Sequence, residues 1–383
     1  MVERGRFWSR LLRFDRRLFE NFDMMFMFLI AVVCIMGFFN LYSASYTPDS
    51  GGLPAYMRQA YFFLMGLTVF IFIISFDYQE LHFWNYPIYA AVNLLLIAAL
   101  FAGHEAGGAQ RWINLGFFKL QPSEPAKLML VITLASYFSR KEVVDGYSLK
   151  QLLVPIGLTV FPFFLILLQP DLGTALMLGI IFVSMVVFVK LRLSTYLILG
   201  SAGISAVVLA WEEVLKPYQK QRITTFLNPE QDKMGHGYQI TQSKIAVGSG
   251  GQFGKGYMEG TQSHLHFLPE RHTDFAFSVW AEEWGFAGSI IFIGTYFLML
   301  IWGLYVAMYA KDRFGVLLAF GVVILIFWQA VINLFMIMGF LPVVGIPLPM
   351  FSYGGSSLLT TLAGLAILMN VRMRRFQPIY SRE

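Results

Sequence analysis

The sequence predicts an all-α polytopic membrane protein with about ten transmembrane helices and one large extracytoplasmic loop. Of its 383 residues, 57% are hydrophobic and only 13% are charged, whereas soluble domains carry roughly 25% charged residues. Apolar runs of the length that a helix needs to cross a bilayer, about 20 residues, recur along the chain. They lack the two-residue alternation of barrel strands, which favours helices. A soluble enzyme, a disordered chain and a disulfide-stapled secreted domain are therefore excluded.

The predicted spans follow one another along a single membrane domain, residues 1–383. They lie near residues 24–44, 60–76, 83–102, 122–138, 151–168, 171–189, 193–211, 274–308, 314–339 and 350–371. The first apolar run is too long for the core of a secretion signal, so we expect it to remain as a span. The single cysteine, Cys34, lies inside it, which excludes an intramolecular disulfide and suggests a small core residue.

The net charge of +5 reflects membrane topology. Seventeen Lys and Arg residues fall in the two tails and in the loops on the same side of the membrane. Only Arg58, Arg111 and Lys119 lie in the short loops of the other side. Because positive charge accumulates on the cytoplasmic side, both termini are predicted to be cytoplasmic. No nucleic acid partner is expected.

The large extracytoplasmic loop, residues 212–272, separates the seventh and eighth spans. Its aromatic and apolar residues indicate an ordered lid on the membrane surface, since a long loop is usually functional or disordered. Its glycine cluster, Gly248-Ser249-Gly250-Gly251, does not have the spacing of a phosphate-binding loop or of a dinucleotide site. A flexible loop is the preferred interpretation of this cluster.

Glu124 and Lys127 are the ionisable pair that the sequence places inside a span. Three-residue spacing puts both side chains on one helical face, close enough to pair. Ionisable groups at membrane depth are costly and therefore functional candidates. One interpretation is a self-neutralising ion pair that fixes packing. The other is a site for an anionic, partly buried group such as a lipid diphosphate.

Three further features allow two interpretations each. Asp171 follows Gln169-Pro170 at the mouth of the sixth span, where it either caps the helix or belongs to a site. The proline-rich stretch 339–357 is either a connecting loop or a wall of the outer cavity. His264 and His266 resemble a metal pair, but no ligand set of familiar spacing accompanies them, so surface histidines are favoured.

Asp274 is the strongest candidate for chemistry. A helix over 274–308 would be about 52 Å long, more than the roughly 30 Å hydrocarbon core, which places Asp274 near the outer boundary. The helix face of Asp274 also carries the small residues Ser278, Ala281 and Gly285, which predict a groove beside the carboxylate. A carboxylate over a groove, flanked by Glu270 and His272, suits a general base acting on a sugar hydroxyl. The alternative is a helix N-cap.

With these motifs placed, the sequence resembles the SEDS family of bacterial cell-wall proteins, which includes RodA, FtsW and SpoVE. Six motifs carry the resemblance: Leu41-Tyr42-Ser43-Ala44-Ser45, Arg111-Trp112-Ile113, Gln121-Pro122-Ser123-Glu124 with Lys127, Gln169-Pro170-Asp171-Leu172-Gly173-Thr174, Leu268-Pro269-Glu270 through Asp274 with Glu282-Glu283, and Ser352-Tyr353-Gly354-Gly355-Ser356-Ser357. Val343-Val344-Gly345 is more similar to the RodA branch, which serves cell elongation and rod shape, because FtsW members commonly carry a lysine near Val344. Pro125 departs from the apolar residue of many members.

The resemblance implies a peptidoglycan glycosyltransferase of the bacterial plasma membrane. It would polymerise lipid II on the outer face and release undecaprenyl diphosphate. By carry-over Asp274 is the catalytic residue, and Lys127, Arg111 and Arg222 would offset the charge of the leaving group while Glu124 holds Lys127. The other residues expected to bind substrate are Trp112, Asp171, Glu270 and His272.

The resemblance also implies partners and leaves alternative functions open. Expected partners are lipid II, a class B penicillin-binding protein, membrane proteins of the elongation complex and membrane lipid. A divalent cation, Mg²⁺ or Mn²⁺, is a further expectation. The competing functions are a flippase for the lipid-linked precursor and a scaffold for the penicillin-binding protein. A carboxylate at the outer mouth favours catalysis over transport, because transporters bind substrate near the midplane.

Overall fold

The computed structural model describes residues 20–45, 53–106, 109–114, 116, 118–140, 143–229, 232, 235–264 and 267–376. Its elements in chain order are α1 (Met24–Ala44), α2 (Ala55–Ser75), α3 (Tyr78–Ala102), β1 (His104–Ala106), β2 (Ala109–Asn114), β3 (Lys119–Leu120), α4 (Ser123–Ser139), α5 (Leu149–Leu168), α6 (Leu172–Phe188), α7 (Leu193–Leu209), α8 (Pro217–Leu227), α9 (His236–Ser249), α10 (Thr261–His264), α11 (Ala276–Met308), α12 (Arg313–Ile337) and α13 (Gly355–Met373). A π-helical turn, Ala210–Val214, extends α7.

The prediction of an all-α polytopic membrane protein is confirmed. Within the described residues, ten helices (α1 to α7 and α11 to α13) coincide with the ten predicted spans. Eight helices of this described part are long and apolar enough to cross a membrane. The other two, α4 and α6, have 17 residues each and reach about 26 Å, slightly less than the hydrocarbon core.

Several predicted helix starts are wrong by two to five residues. Helix α3 begins at Tyr78 and not near residue 83. Helix α2 begins at Ala55, directly after Pro54, and not near residue 60. Helix α13 begins at Gly355 and not at 350, because the prolines of the preceding loop cannot supply the donors of a continuous helix. Helix α11 begins at Ala276, two residues after the predicted start.

Helices α4, α12 and α13 form the centre of the bundle. Almost every residue of α4 and α13 is buried, and α12 packs against α4 and α11 while α13 packs against α2. Helix α7 lies at the periphery, where Thr195 is its one buried residue among those described. An apolar cavity of about 530 Å³ separates α7 from α6.

Two groups of short elements lie at one end of the bundle and position the candidate site. The strands form a small antiparallel sheet in the order β1-β2-β3, which carries Arg111. The large loop contains α8, α9 and α10, as expected for an ordered lid. Helix α9 packs against α11, and the Ser243 hydroxyl lies 2.9 Å from that of Ser278 and donates to the Ile337 carbonyl at 2.8 Å.

Candidate active site

Asp274 lies in the turn that leads into α11, and its carboxylate is the feature around which the site is built. The helix cap is Phe275 and no side chain caps this helix end, so the N-cap alternative for Asp274 is wrong. The Asp274 carbonyl accepts a hydrogen bond from the Asn333 amide at 2.9 Å. Its carboxylate accepts none from the described residues. The carboxylate is therefore held through its backbone and keeps both oxygens available.

The surroundings of Asp274 raise the pKa of its carboxyl group to about 7. Burial is the main cause, and the negative charge of Glu270 acts in the same direction. The positive charge of Arg222 opposes both. A carboxyl group that titrates near neutral pH suits a general base, because it is ionised before the reaction and can keep the proton it removes.

The predicted groove along α11 is wrong, because another part of the chain fills that space. At Gly285 the backbone adopts a φ of 63° and the helix is interrupted. The freed amides of Phe286 and Ala287 donate to the carbonyls of Gly251 and Gln252 at 2.9 and 3.0 Å. Residues 250–254 thereby cover the Ala281 and Gly285 positions, and Ser278 is buried against α9.

The glycine cluster is consequently a closely packed segment and not a flexible loop. A Cβ atom on Gly250 would lie 2.1 Å from the Ala281 carbonyl oxygen, and one on Gly254 would lie 2.0 Å from that of Glu283. Such distances are far shorter than any van der Waals contact, so only glycine fits. The glycines let two backbones approach, which is a structural role that does not require a nucleotide.

The proline-rich loop between α12 and α13 forms the wall beside Asp274. A Cβ atom on Gly345 would lie 3.5 Å from the nearer carboxylate oxygen of Asp274. Asn333 donates to the Ile346 carbonyl at 2.8 Å as well as to Asp274, so one amide holds both the wall and the turn. These contacts make the stretch more than a connecting loop, and its role as a wall of the outer cavity stays a prediction.

Arg222 stands near the Asp274 carboxylate and Arg111 stands near Arg222; the family resemblance assigns both arginines to the leaving group. Arg111 on β2 donates to the carbonyls of Gln169 and Pro170 at 3.0 and 2.5 Å. Arg222 on α8 donates to the Val343 carbonyl at 3.4 Å, and its buried Nε atom has no hydrogen-bond partner among the described residues. Burial, and then the like charge of Arg111, lower the pKa of Arg222. Two partly desolvated guanidinium groups close to each other are suited to bind an anion.

Asp171 has both of the roles that the sequence left open. Its carboxylate caps α6 by accepting from the Thr174 amide at 3.2 Å and from the Thr174 hydroxyl at 2.9 Å. It also lies 3.8 Å from Arg111 and accepts from the Gln121 side chain at 3.4 Å. The cap therefore fixes a carboxylate that orients Arg111 within the site.

Lys127 and Glu124 form an ion pair of 2.7 Å in the first turns of α4. Lys127 is 1% exposed and Glu124 is 4% exposed, so both are sealed inside the bundle. Among the described residues this pairing supports the structural interpretation. Contact of the pair with a substrate stays a prediction.

The remaining predicted residues lie around the turn and the small sheet. Trp112 follows Arg111 on β2 and is half-buried. Glu270 is exposed and accepts from the Thr273 hydroxyl at 2.9 Å. The His272 carbonyl accepts from the Tyr353 amide at 2.8 Å, which ties the turn to the loop before α13. His264 ends α10, and His266 lies outside the described residues.

Sequence reasoning missed Asn333, the residue that holds Asp274 in place. Asn333 is completely buried about one turn before the end of the apolar helix α12. A polar side chain at membrane depth is the one signal that could have identified it. No group of three or more His, Cys, Asp or Glu side chains that could hold a metal ion occurs in the part of the chain that the structure describes.

Comparison with known proteins places this geometry among bacterial cell-wall proteins. The family model FTSW_RODA_SPOVE, described as "Cell cycle protein", matches residues 23–377. The chain is 39% identical to "Peptidoglycan glycosyltransferase MrdB" of Escherichia coli (strain K12), over 81% of this chain and 84% of that protein. It is 32% identical to "Peptidoglycan glycosyltransferase RodA" of Treponema pallidum (strain Nichols), over 93% and 98%.

Solved structures share the fold. A chain from work on "structural coordination of polymerization and crosslinking by a peptidoglycan synthase complex" has a TM-score of 0.79 and 36% identity, with 93% of this chain and 99% of that chain covered. The rod shape determining protein RodA of Thermus thermophilus has a TM-score of 0.70 and 32% identity, with 93% and 98% covered.

Proposed function

The chain belongs to the FtsW, RodA and SpoVE family and is a multi-pass membrane peptidoglycan glycosyltransferase, and we propose that it polymerises lipid II. The observation that carries this proposal is the Asp274 carboxylate. It has a pKa of about 7, accepts no hydrogen bond from the described residues and stands near Arg222. Transfer of a sugar from a diphosphate carrier requires a general base beside a group that binds the anionic leaving group.

In the proposed reaction Asp274 takes the proton of the acceptor sugar's 4-hydroxyl. The resulting oxygen nucleophile attacks the anomeric carbon of the donor and forms the new glycosidic bond. The bond from that carbon to the diphosphate oxygen breaks, and the electron pair leaves with undecaprenyl diphosphate. Arg111 and Arg222 offset the charge that develops on this leaving group. The unpartnered Nε of Arg222 supports such a role.

The other predicted residues receive supporting roles in this proposal. Asp171 holds Arg111 toward the diphosphate, and Glu270 sets the proton affinity of Asp274. Trp112 and His272 contact the sugars from the sheet and from the turn. Lys127, kept in place by Glu124, adds positive charge at a distance.

The described residues do not fit a resident metal ion at this site. The Asp171 carboxylate already caps α6 and pairs with Arg111, and no cluster of three possible metal ligands occurs among the described residues. The proposal therefore routes no step through Mg²⁺ or Mn²⁺.

We propose a class B penicillin-binding protein as the partner and elongation as the cellular role, alongside the membrane proteins of the elongation complex. The relative from a peptidoglycan synthase complex supports the first part. Val344 and the RodA neighbours support the second. The excess of Lys and Arg supports placing both termini in the cytoplasm and Asp274 at the outer face. The start of α1 and the end of α13 lie on one face, joined by an Asp23–Arg372 ion pair of 3.0 Å.

Polymerisation of labelled lipid II by the purified chain in detergent, with and without a penicillin-binding partner, tests this function. We expect glycan strands from the wild-type protein and none from Asp274→Ala. Detergent removes the two membrane sides, so a flippase would release no polymer. Absence of product from the wild-type protein, even with its partner, would contradict the proposal and favour the flippase.

A further inference from the structure

A second cavity lies at the end of the bundle opposite Asp274. Its volume is about 370 Å³, the space of roughly a dozen water molecules. It is bounded by the residues before α1, by the end of α11 and by the end of α13. Its lining includes Glu20, Asp23, Trp302, Arg372, Arg375 and Phe376.

Asp23 and Arg372 form a neutral wall of this cavity. One Asp23 oxygen accepts from the Arg372 Nε at 3.0 Å and from the Trp302 indole at 2.9 Å. The other accepts from the Phe26 amide at 3.1 Å. Although burial by itself raises the pKa of Asp23, these hydrogen bonds and Arg372 hold it below its ordinary value. This ion pair satisfies itself and leaves no net charge for a ligand.

Arg375 is held without a carboxylate partner among the described residues. Its guanidinium lies over the rings of Tyr309, at 5.5 Å, and Phe376, at 4.3 Å. Its Nη1 atom is buried and has no hydrogen-bond partner in the described part of the chain. Aromatic stacking fixes the plane of the guanidinium, and buried donors are normally paired. The unpaired donor therefore points to a missing acceptor.

Glu20 supplies the opposite charge. Its carboxylate lines the same cavity, is exposed, and makes no ion pair or hydrogen bond with the described part of the chain. The neighbouring apolar side chains Met24 and Phe376 are 74% and 68% exposed, as expected at the boundary between lipid and water. The cavity thus offers one unpaired cation and one unpaired anion at headgroup depth.

We propose that this cavity binds the phosphoethanolamine headgroup of a membrane phospholipid, with its phosphate on Arg375 and its ammonium on Glu20. A guanidinium matches phosphate oxygens with paired donors. A glycerol headgroup would leave Glu20 facing a net negative ligand, and a choline headgroup has no N–H donor for the carboxylate. Pockets between helix ends are known places for headgroup recognition. The site is independent of the glycosyl transfer at Asp274.

Native mass spectrometry of the full chain in detergent tests this site. The protein is incubated with equal concentrations of dioleoyl phosphatidylethanolamine, phosphatidylglycerol or phosphatidylcholine. We expect the ethanolamine lipid to be retained preferentially, and Arg375→Gln to reduce its retention about tenfold or more, the usual weight of a charged hydrogen bond. Glu20→Gln should abolish the preference over phosphatidylglycerol.

Arg140→Gln is the matched control, since Arg140 also stacks on a ring, Tyr86 at 5.2 Å, but lies outside the cavity. It should retain the ethanolamine lipid as the wild type does. If Arg375→Gln is not monodisperse, Arg375→Lys replaces it in the experiment. Lysine keeps the positive charge but lacks the paired donors of the guanidinium, so this variant should show an intermediate loss of lipid retention. Equal retention of all three lipids, or unchanged retention in both Arg375 variants, would overturn the proposal. Displacement by free phosphoethanolamine at equal concentration would overturn the assignment to a lipid.

Discussion

At the scale of single residues, Asp274 owes its raised pKa mainly to burial, and two charged neighbours adjust it in opposite directions. Burial raises the pKa of Asp274 to about 7, Glu270 adds to this effect and Arg222 opposes it. Arg222 is itself partly desolvated, which strengthens its influence on nearby charges. The turn therefore holds a carboxyl group that exchanges a proton near neutral pH.

If Asp274 is the general base, as proposed, the activity of the wild-type protein should rise with pH through about 7, because only the ionised carboxylate can take up a proton. Glu270→Gln removes a negative charge, lowers the pKa of Asp274 and should move this rise to lower pH. Arg222→Gln removes a positive charge and should move the rise to higher pH. Profiles of kcat/KM for lipid II polymerisation measure both shifts.

Glu259→Gln is a suitable control for these profiles, since Glu259 is an exposed carboxylate of the same large loop. It should leave the midpoint of the rise in place. Shifts of the same sign in Glu270→Gln and Arg222→Gln would show that the titrating group is not Asp274.

Asp274→Asn should stabilise the protein at neutral pH while it removes activity. The folded pKa of about 7 lies above the ordinary value of 3.8, so the folded state resists an ionisation that the unfolded chain undergoes. The resulting cost is absent below pH 4, grows as the pH rises to about 7 and is constant above it. Thermal unfolding in detergent at pH 5 and pH 8 should reveal a larger gain for Asp274→Asn at pH 8. An equal gain at both pH values would contradict the raised pKa.

Most of the site residues can be predicted from the sequence, but the residues that hold them in position cannot. Asp274, Arg111 and Asp171 occur in short motifs at the ends of apolar runs, which places them at the membrane boundary. Asn333 is one amide inside an apolar helix, and its role depends on two carbonyls that are far away in the sequence. Local patterns contain no information about such distant contacts.

At the scale of elements, the interruption of α11 decides where the large loop is fixed. Gly285 has a φ of 63°, a conformation that L-residues rarely adopt. Residues 250–254 pack into the interruption through backbone hydrogen bonds. Lys255 then reaches the buried Glu282 at 2.6 Å, which anchors the segment to α11. The interruption at Gly285 thus allows the large loop to be fixed to the helix that follows Asp274.

Gly285→Ala should strongly destabilise the protein. A Cβ atom at this position would lie 2.3 Å from the Gly254 nitrogen, and the positive φ adds strain, together about 1–3 kcal/mol or more. Gly294→Ala in the same helix is the control, since a Cβ atom there meets nothing within 4 Å. It should be neutral or stabilising by up to about 1 kcal/mol. Thermal unfolding compares the two, and equal midpoints would contradict this account of the interruption.

The buried Glu124–Lys127 ion pair should contribute strongly to the stability of the protein. Lys127→Met leaves a buried carboxylate unpaired, which costs about 3–5 kcal/mol, and Glu124→Gln leaves the ammonium unpaired. The double variant should recover part of this loss, with a coupling of about 1 kcal/mol or more. A thermal unfolding cycle of the four proteins measures it. Additive losses would contradict the ion pair as the main role, and a folded double variant with a raised KM would support substrate contact.

Sequence periodicity predicted the helices well and missed the interruption of α11. An isolated glycine inside an apolar run is compatible with a continuous helix. The partners of Gly285 lie about 30 residues earlier, in a cluster whose composition is typical of a flexible loop. Composition therefore predicted flexibility where the backbone needs glycine for close approach.

At the scale of the whole molecule, composition and charge were enough to predict a helical membrane protein. Apolar length gave the ten helices, and the uneven distribution of Lys and Arg gave the proposed orientation. The candidate site at one end combines residues of β2, α6, α8 and the loops around α11 and α13. Assembly of a site from such distant segments is a property of the fold, and no single segment predicts it.

The proposed function depends on Asp274 acting as the general base of a peptidoglycan polymerase. The most direct measurement is the rate of lipid II polymerisation by purified, folded Asp274→Asn at pH 8, beside the wild type and Glu259→Gln. A lost general base lowers a rate about 10²- to 10⁴-fold, so we expect at least a 100-fold loss in Asp274→Asn and none in Glu259→Gln. An Asp274→Asn protein that polymerises within a few-fold of the wild type would contradict the claim.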